Sequence, residues 1–123
     1  MFVTLKKVLI VDNYEEIRNL LHSELADRGL KVSAVANGME AEAYLKENQV
    51  DLVITAYLMP YMNGAELISS INNQFPQLPV VLLSMMTPTE MQAELKNYHY
   101  MAKPFILSHL MKLVDKVLDP LAD

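Results

Sequence analysis

Short apolar runs and longer stretches of helical periodicity alternate along the whole chain. Val8-Leu9-Ile10-Val11 is a compact, largely β-branched run closed by Asp12-Asn13, and reads as a strand. Over 14–28 the apolar residues Ile17, Leu20, Leu21 and Leu25 recur at helical spacing, and Gly29 stops the helix. Asn13 and Glu16 stand three apart, a capping-box pattern that predicts Asn13 as the N-cap. Residues 31–36 read as a second strand with Val32, Ala34 and Ala36 on one face. Asn37-Gly38 then turns the chain into a helix carrying Met39, Ala43 and Tyr44 or Leu45. Residues 51–55 form a continuous rather than alternating run, as expected of a strand covered on both faces. Met59-Pro60-Tyr61-Met62-Asn63-Gly64 is a loop, 65–74 a helix bearing Leu67, Ile68 and Ile71, and 78–83 a fourth strand. Thr87-Pro88-Thr89-Glu90 places a cap, a first-turn proline and an acid in order, which predicts a short helix ending near Lys96. Residues 98–102 give a fifth strand and 105–118 a last helix. Its broad stripe of Leu107, Leu110, Met111, Val114, Val117 and Leu118 reads as core.

Five strands, each followed by a helix, predict an α/β fold: a doubly wound, five-stranded parallel sheet with helices on both faces, joined by right-handed crossovers. With 123 residues and no linker or repeat, the chain is expected to form one domain, 1–123. Spacing alone does not give the strand order. In such sheets chemistry gathers outside the carboxyl ends of the strands, which here are Asp12-Asn13, Ala56, Ser84 and the Lys103 loop.

Composition narrows the function. A net charge of −5 with scattered basic residues argues against a nucleic-acid surface, because phosphate contacts need clustered Lys and Arg. No apolar run reaches the roughly 18 residues of a membrane span, and Met1 to Lys7 lacks the pattern of a signal peptide. The absence of cysteine excludes disulfides and thiolate metal sites, and a cytoplasmic location is expected. His22, His99 and His109 show no metal-ligand spacing, and the nine methionines read as gap-fillers.

At those four strand ends the chain resembles the receiver domains of two-component response regulators. The resemblance rests on Val8-Leu9-Ile10-Val11-Asp12-Asn13, on Asp51 through Gly64 with Ala56-Tyr57-Leu58-Met59-Pro60 at its centre, on Leu82-Leu83-Ser84, and on Lys103-Pro104-Phe105. It implies a flavodoxin-like sheet of order 2-1-3-4-5 and a site for phosphoryl transfer from a histidine kinase to an aspartate, assisted by Mg2+. Position by position, it makes Asp12 one of two acidic metal residues and puts Asn13 where a second acid is usual. Ser84 becomes the hydroxyl and Lys103 the lysine that contact the phosphoryl oxygens, and Tyr100 the aromatic that reports the phosphorylated state. It also implies a cis Lys103-Pro104 bond. A face made of the fourth helix, the fifth strand and the last helix would serve homodimers and partners.

The departures from the family pattern matter most. Ala56 stands where the resemblance places the phospho-accepting aspartate, and a methyl group can neither attack phosphorus nor bind metal. Thr55 and Tyr57 alternate away from the pocket, and Asp51 lies about 16 Å back along the strand. With Asp12 as the one acid, Mg2+ binding is expected to be weak or absent. Lys103 is expected to pair with Asp12. Met85, following Ser84, is expected to roof the pocket partly. The expected function is a signalling module that is not an enzyme: a pseudo-receiver, not phosphorylatable at the usual site, whose partner is a histidine kinase or another signalling protein. The alternative is an active receiver carrying an engineered Asp-to-Ala change at 56. A nucleotide-binding enzyme of similar architecture is disfavoured by the lack of a glycine-rich loop after the first strand.

Overall fold

The computed structural model describes residues 5–91 and 95–120. Ten elements follow one another: β1 (Lys7–Val11), α1 (Glu15–Asp27), β2 (Lys31–Val35), α2 (Gly38–Glu47), β3 (Leu52–Ala56), α3 (Gly64–Gln74), β4 (Val80–Ser84), α4 (Pro88–Met91), β5 (Tyr98–Ala102) and α5 (Leu107–Leu118). The strands form one parallel sheet in the order β2-β1-β3-β4-β5. The doubly wound, flavodoxin-like architecture is the expected one.

Strand alternation divides the core into two layers. Val8 and Ile10, Leu52 and Ile54, and Val81 and Leu83 face α1 and α5, where they meet Leu21, Leu25, Leu110, Met111 and Val114. Leu9 and Val11, Val53, Val80 and Leu82 point the other way, onto Ala41 and Leu45 of α2 and Leu67, Ile68 and Ile71 of α3. The two central strands β3 and β4 are buried at every position, which explains their unbroken apolar sequence.

Several boundaries differ from expectation, each for a local reason. β4 starts at Val80 rather than Leu78, because Pro79 has no N–H for the ladder and Leu78 N–H donates to Phe75 O instead. β3 starts one residue late. Asp51 turns its carboxylate onto the Lys7 N–H at 2.8 Å, fixing the far end of the sheet. β2 is an edge strand, so of the face expected to carry Val32, Ala34 and Ala36 only Val32 packs, half-buried, on the core, while Ala34 is exposed and Ala36 lies past the strand's end. In α2 the buried face is Gly38, Ala41 and Leu45, while Met39 is exposed and Tyr44 half-buried with its hydroxyl on Ser33 Oγ. α1 is not capped by Asn13: the helix begins after Tyr14 with no side-chain cap. The predicted end of the fourth helix near Lys96 follows residues 92–94, which lie outside the described residues.

Candidate functional site

The carboxyl ends of β1, β3, β4 and β5 bring Asp12, Asn13, Ala56, Ser84 and Lys103 to one edge of the sheet. Register does much of this: Val11 pairs with Thr55, Ala56 with Leu83, and Ser84 with Ala102. Asp12 is almost wholly buried. Its Oδ1 accepts the Tyr14 N–H at 2.9 Å, and Arg18 Nη1 donates to its backbone carbonyl at 2.8 Å. Its other oxygen, Oδ2, is buried without a hydrogen-bond partner and lies 3.7 Å from Lys103 Nζ. The expected Asp12–Lys103 pair therefore forms. Asn13 Oδ1 is likewise buried and unpartnered, so it caps no N–H of α1.

Ala56 ends β3 with its methyl group buried. The following loop folds hard against it. A Cβ at Gly64 would lie 2.4 Å from Ala56 O and 2.9 Å from Tyr57 Cα, so only glycine allows this return, and Gly64 N–H closes it by donating to Tyr57 O at 2.7 Å. Within the loop Tyr61 adopts φ 70, a left-handed conformation unusual for a non-glycine residue. Thr55 is buried and donates to Ala56 O, away from the site, as alternation predicts. Tyr57 continues the alternation past the strand end: it packs against the α2–α3 layer with Val53, and the cavity beside Ser84 and Lys103 only borders it.

Ser84 and Tyr100 both act on the turn after β4. Ser84 Oγ accepts the Met86 N–H at 2.9 Å, and the Tyr100 hydroxyl donates to Met86 O at 2.8 Å. Lys103 N–H reaches Ser84 O at 2.9 Å, and the Lys103-Pro104 bond is cis. Met85 does not roof the pocket. It is 74% exposed and forms one wall of an open cavity of about 140 Å³, with Tyr14, Leu58 and Met86 around it. His22, His99 and His109 are exposed.

Two unpartnered oxygens, Asp12 Oδ2 and Asn13 Oδ1, are atoms that a hard cation would take. Among the described residues, however, no three acids or imidazoles converge as ligands. Asp12 is one carboxylate with an ammonium already 3.7 Å away. Mg2+ dehydrates reluctantly and relies on anionic ligands, so this donor set does not fit it well.

The response regulator receiver domain model matches residues 8–115, and the chain belongs to that family, the receivers of two-component signalling. The chemotaxis protein CheY-3 of Vibrio cholerae is 30% identical over 121 residues, which cover 94% of this chain and 93% of that protein. The DNA-binding transcriptional regulator NtrC of Bradyrhizobium is 32% identical over 115 residues, covering 90% of this chain but spanning only 24% of that protein. Among solved structures, CheY4 of Vibrio cholerae superposes with a TM-score of 0.84 at 30% identity, covering 94% of this chain and all of the other (100%). TrrA of Thermotoga maritima, solved with Mg2+ and BeF, gives 0.80 at 28% identity, covering 93% and 100%. Receivers of this family interact with kinases. No helix among the described residues is long and apolar enough to cross a membrane.

Proposed function

We propose that this chain is a pseudo-receiver, a binding module of a two-component pathway that keeps the receiver fold without its phosphoryl chemistry. The observation that carries this reading is Ala56, a buried methyl group at the end of β3 where the family places its acceptor carboxylate. Neither neighbour supplies a substitute: Thr55 is tied to Ala56 O, and Asp51 sits at the opposite end of the sheet. Asn13 adds to the loss by leaving Asp12 as the single acid, with Mg2+ binding weak or absent. The module works by contact with a histidine kinase or another signalling protein in the cytoplasm, not as an enzyme and not by binding nucleic acid.

A second reading, an active receiver whose acceptor aspartate was replaced by alanine, draws on the intact remainder of the site: the Asp12–Lys103 pair, Ser84 and the open cavity. Incubation with Mg2+ and acetyl phosphate, followed by intact-mass spectrometry, tests both. The chain itself is expected to gain no phosphoryl group, and a shift mapping to any residue at this edge would overturn the proposal. The Ala56→Asp variant is expected to label slowly and partially, because Asn13 leaves the metal one acid short. Rapid, stoichiometric labelling of that variant would favour the second reading.

A further inference from the structure

At the amino edge of the sheet, opposite the site described above, two lysines stand side by side. Lys7 on β1 and Lys31 on β2 are direct partners in the parallel register, on strands about 4.8 Å apart. Strand alternation puts both on the face of Leu9 and Val35, beneath α2. Like charges placed opposite each other on neighbouring strands repel. Lys7 is half-buried, which limits how far it can swing away from Lys31. Among the described residues the ion pairs are Arg28–Asp115 and Lys103–Asp12, so neither lysine has a carboxylate partner. Asp51 does not fill that role. Its carboxylate accepts the Lys7 backbone N–H on the β3 side of β1, whereas Lys31 lies on the β2 side.

The two lysines line a small recess together with Ser33, Tyr44, Asn48 and Gln49. Ser33 Oγ and the Tyr44 hydroxyl share one hydrogen bond at 2.8 Å, so one of their two protons is left for another acceptor. Asn48 Nδ2 donates to Tyr44 O at 3.0 Å and holds the end of α2 over the recess. The donors that converge here are thus two ammonium groups and one hydroxyl. The recess measures about 40 Å³, room for roughly three waters at 10–15 Å³ each, or for one tetrahedral oxyanion. A metal cation or an amine would be repelled by the same pair of charges. We infer that this recess binds the oxyanion of a phosphate or phosphomonoester, with Lys7 and Lys31 on either side of it and the Ser33–Tyr44 pair supplying a neutral donor. The site lies at the opposite end of the strands from Ser84 and Lys103, and it does not depend on the residue at position 56.

The test is a titration of the whole chain with inorganic phosphate, followed by two-dimensional amide NMR at an ionic strength held constant with chloride. Saturable shifts are expected at Lys31, Ser33, Asn48 and Gln49, with the thermal midpoint rising along the same isotherm. O-phosphoserine is titrated in parallel. Binding at least as tight as that of phosphate identifies a phosphomonoester as the ligand, and weaker binding identifies the free ion. Lys31→Met and Ser33→Ala should each weaken binding, the first by about tenfold or more. Lys46→Met, at an exposed lysine outside the recess, should leave it unchanged. Without phosphate, Lys31→Met should be at least as stable as the parent, because it removes the repulsion from Lys7. Its loss of binding is then not a loss of fold. Shifts confined to Ser84, Met86 and Lys103 would overturn the assignment, since they would put the anion at the carboxyl edge. So would a midpoint that follows chloride as closely as phosphate, or undiminished binding in the Lys31→Met, Ser33→Ala double variant.

Discussion

Asp12 enters the interior with one carboxylate oxygen committed and the other facing only the Lys103 ammonium. A buried charge is expensive unless it is paired, so Lys103 carries a structural duty regardless of any phosphoryl contact. Because the lysine side chain is 23% exposed, the pair is weaker than a fully enclosed one. Lys103→Met is expected to destabilise the fold by about 1–3 kcal/mol and to cost much less in an Asp12→Ala background. A double-mutant cycle in urea measures the difference, and strictly additive effects would show that the two charges are uncoupled. Which residues of the site could be read from sequence follows from where they sit. Ala56 and Ser84 end strands and Asp12 and Lys103 directly follow them, and strand ends are set by the apolar pattern. Asn13 and Met85 come one residue later, where the turn and not the pleat sets the direction of the side chain, and the cap expected at Asn13 and the roof expected at Met85 both fail there.

The helices show the same division between pattern and local geometry. α3 is closed by a full capping box, with Asn63 Oδ1 taking the Glu66 N–H and Glu66 returning to the Asn63 N–H. α4 repeats the exchange through Thr87 and Glu90, whereas in α2 Asn37 Oδ1 takes the Glu40 N–H but Glu40 reaches one residue further back, to the Ala36 N–H. Only the Thr87 cap was legible beforehand, because its proline announced the helix start. Asn37 and Asn63 passed as ordinary turn residues, and Asn13 with Glu16 had the right spacing but the wrong backbone. Asn63→Ala should cost about 1 kcal/mol of stability, read from the urea midpoint. Tyr14→Ser should gain about 0.5–1 kcal/mol by supplying the cap that α1 lacks. An unchanged midpoint in Tyr14→Ser would show that Asp12 Oδ1 already performs that role through the Tyr14 N–H. Arg28, just past the end of α1, and Asp115 on α5 join two helices of the same layer, but the pair is exposed and Asp115→Ala is expected to cost under about 1 kcal/mol.

At the scale of the molecule, the two apolar layers share β1, β3 and β4, so neither can melt while the other keeps its sheet. Unfolding in urea is expected to be a single transition, with far-ultraviolet circular dichroism and tyrosine fluorescence giving coincident curves. Separate midpoints would mean that the layers are independent. Fold class is legible in the sequence because alternation and burial repeat over many residues and small errors average out, whereas the strand order comes only from the family resemblance. The gathering of first-turn acids (Glu15, Glu16, Glu40, Glu66 and Glu90) at one edge is not legible, since it emerges only when the sheet brings the starts of four helices together. One feature of that edge reaches furthest. The backbone N–H of Met86 is taken by Ser84 and its carbonyl by Tyr100, so the turn beside the cavity is fastened by the chain's own groups rather than by an arriving phosphate. A switch that is already tied in place transmits no history of recent events. On the proposed reading, a cell can vary only how many copies of this surface exist, and its tempo is then set by synthesis and degradation instead of by the rates of a kinase.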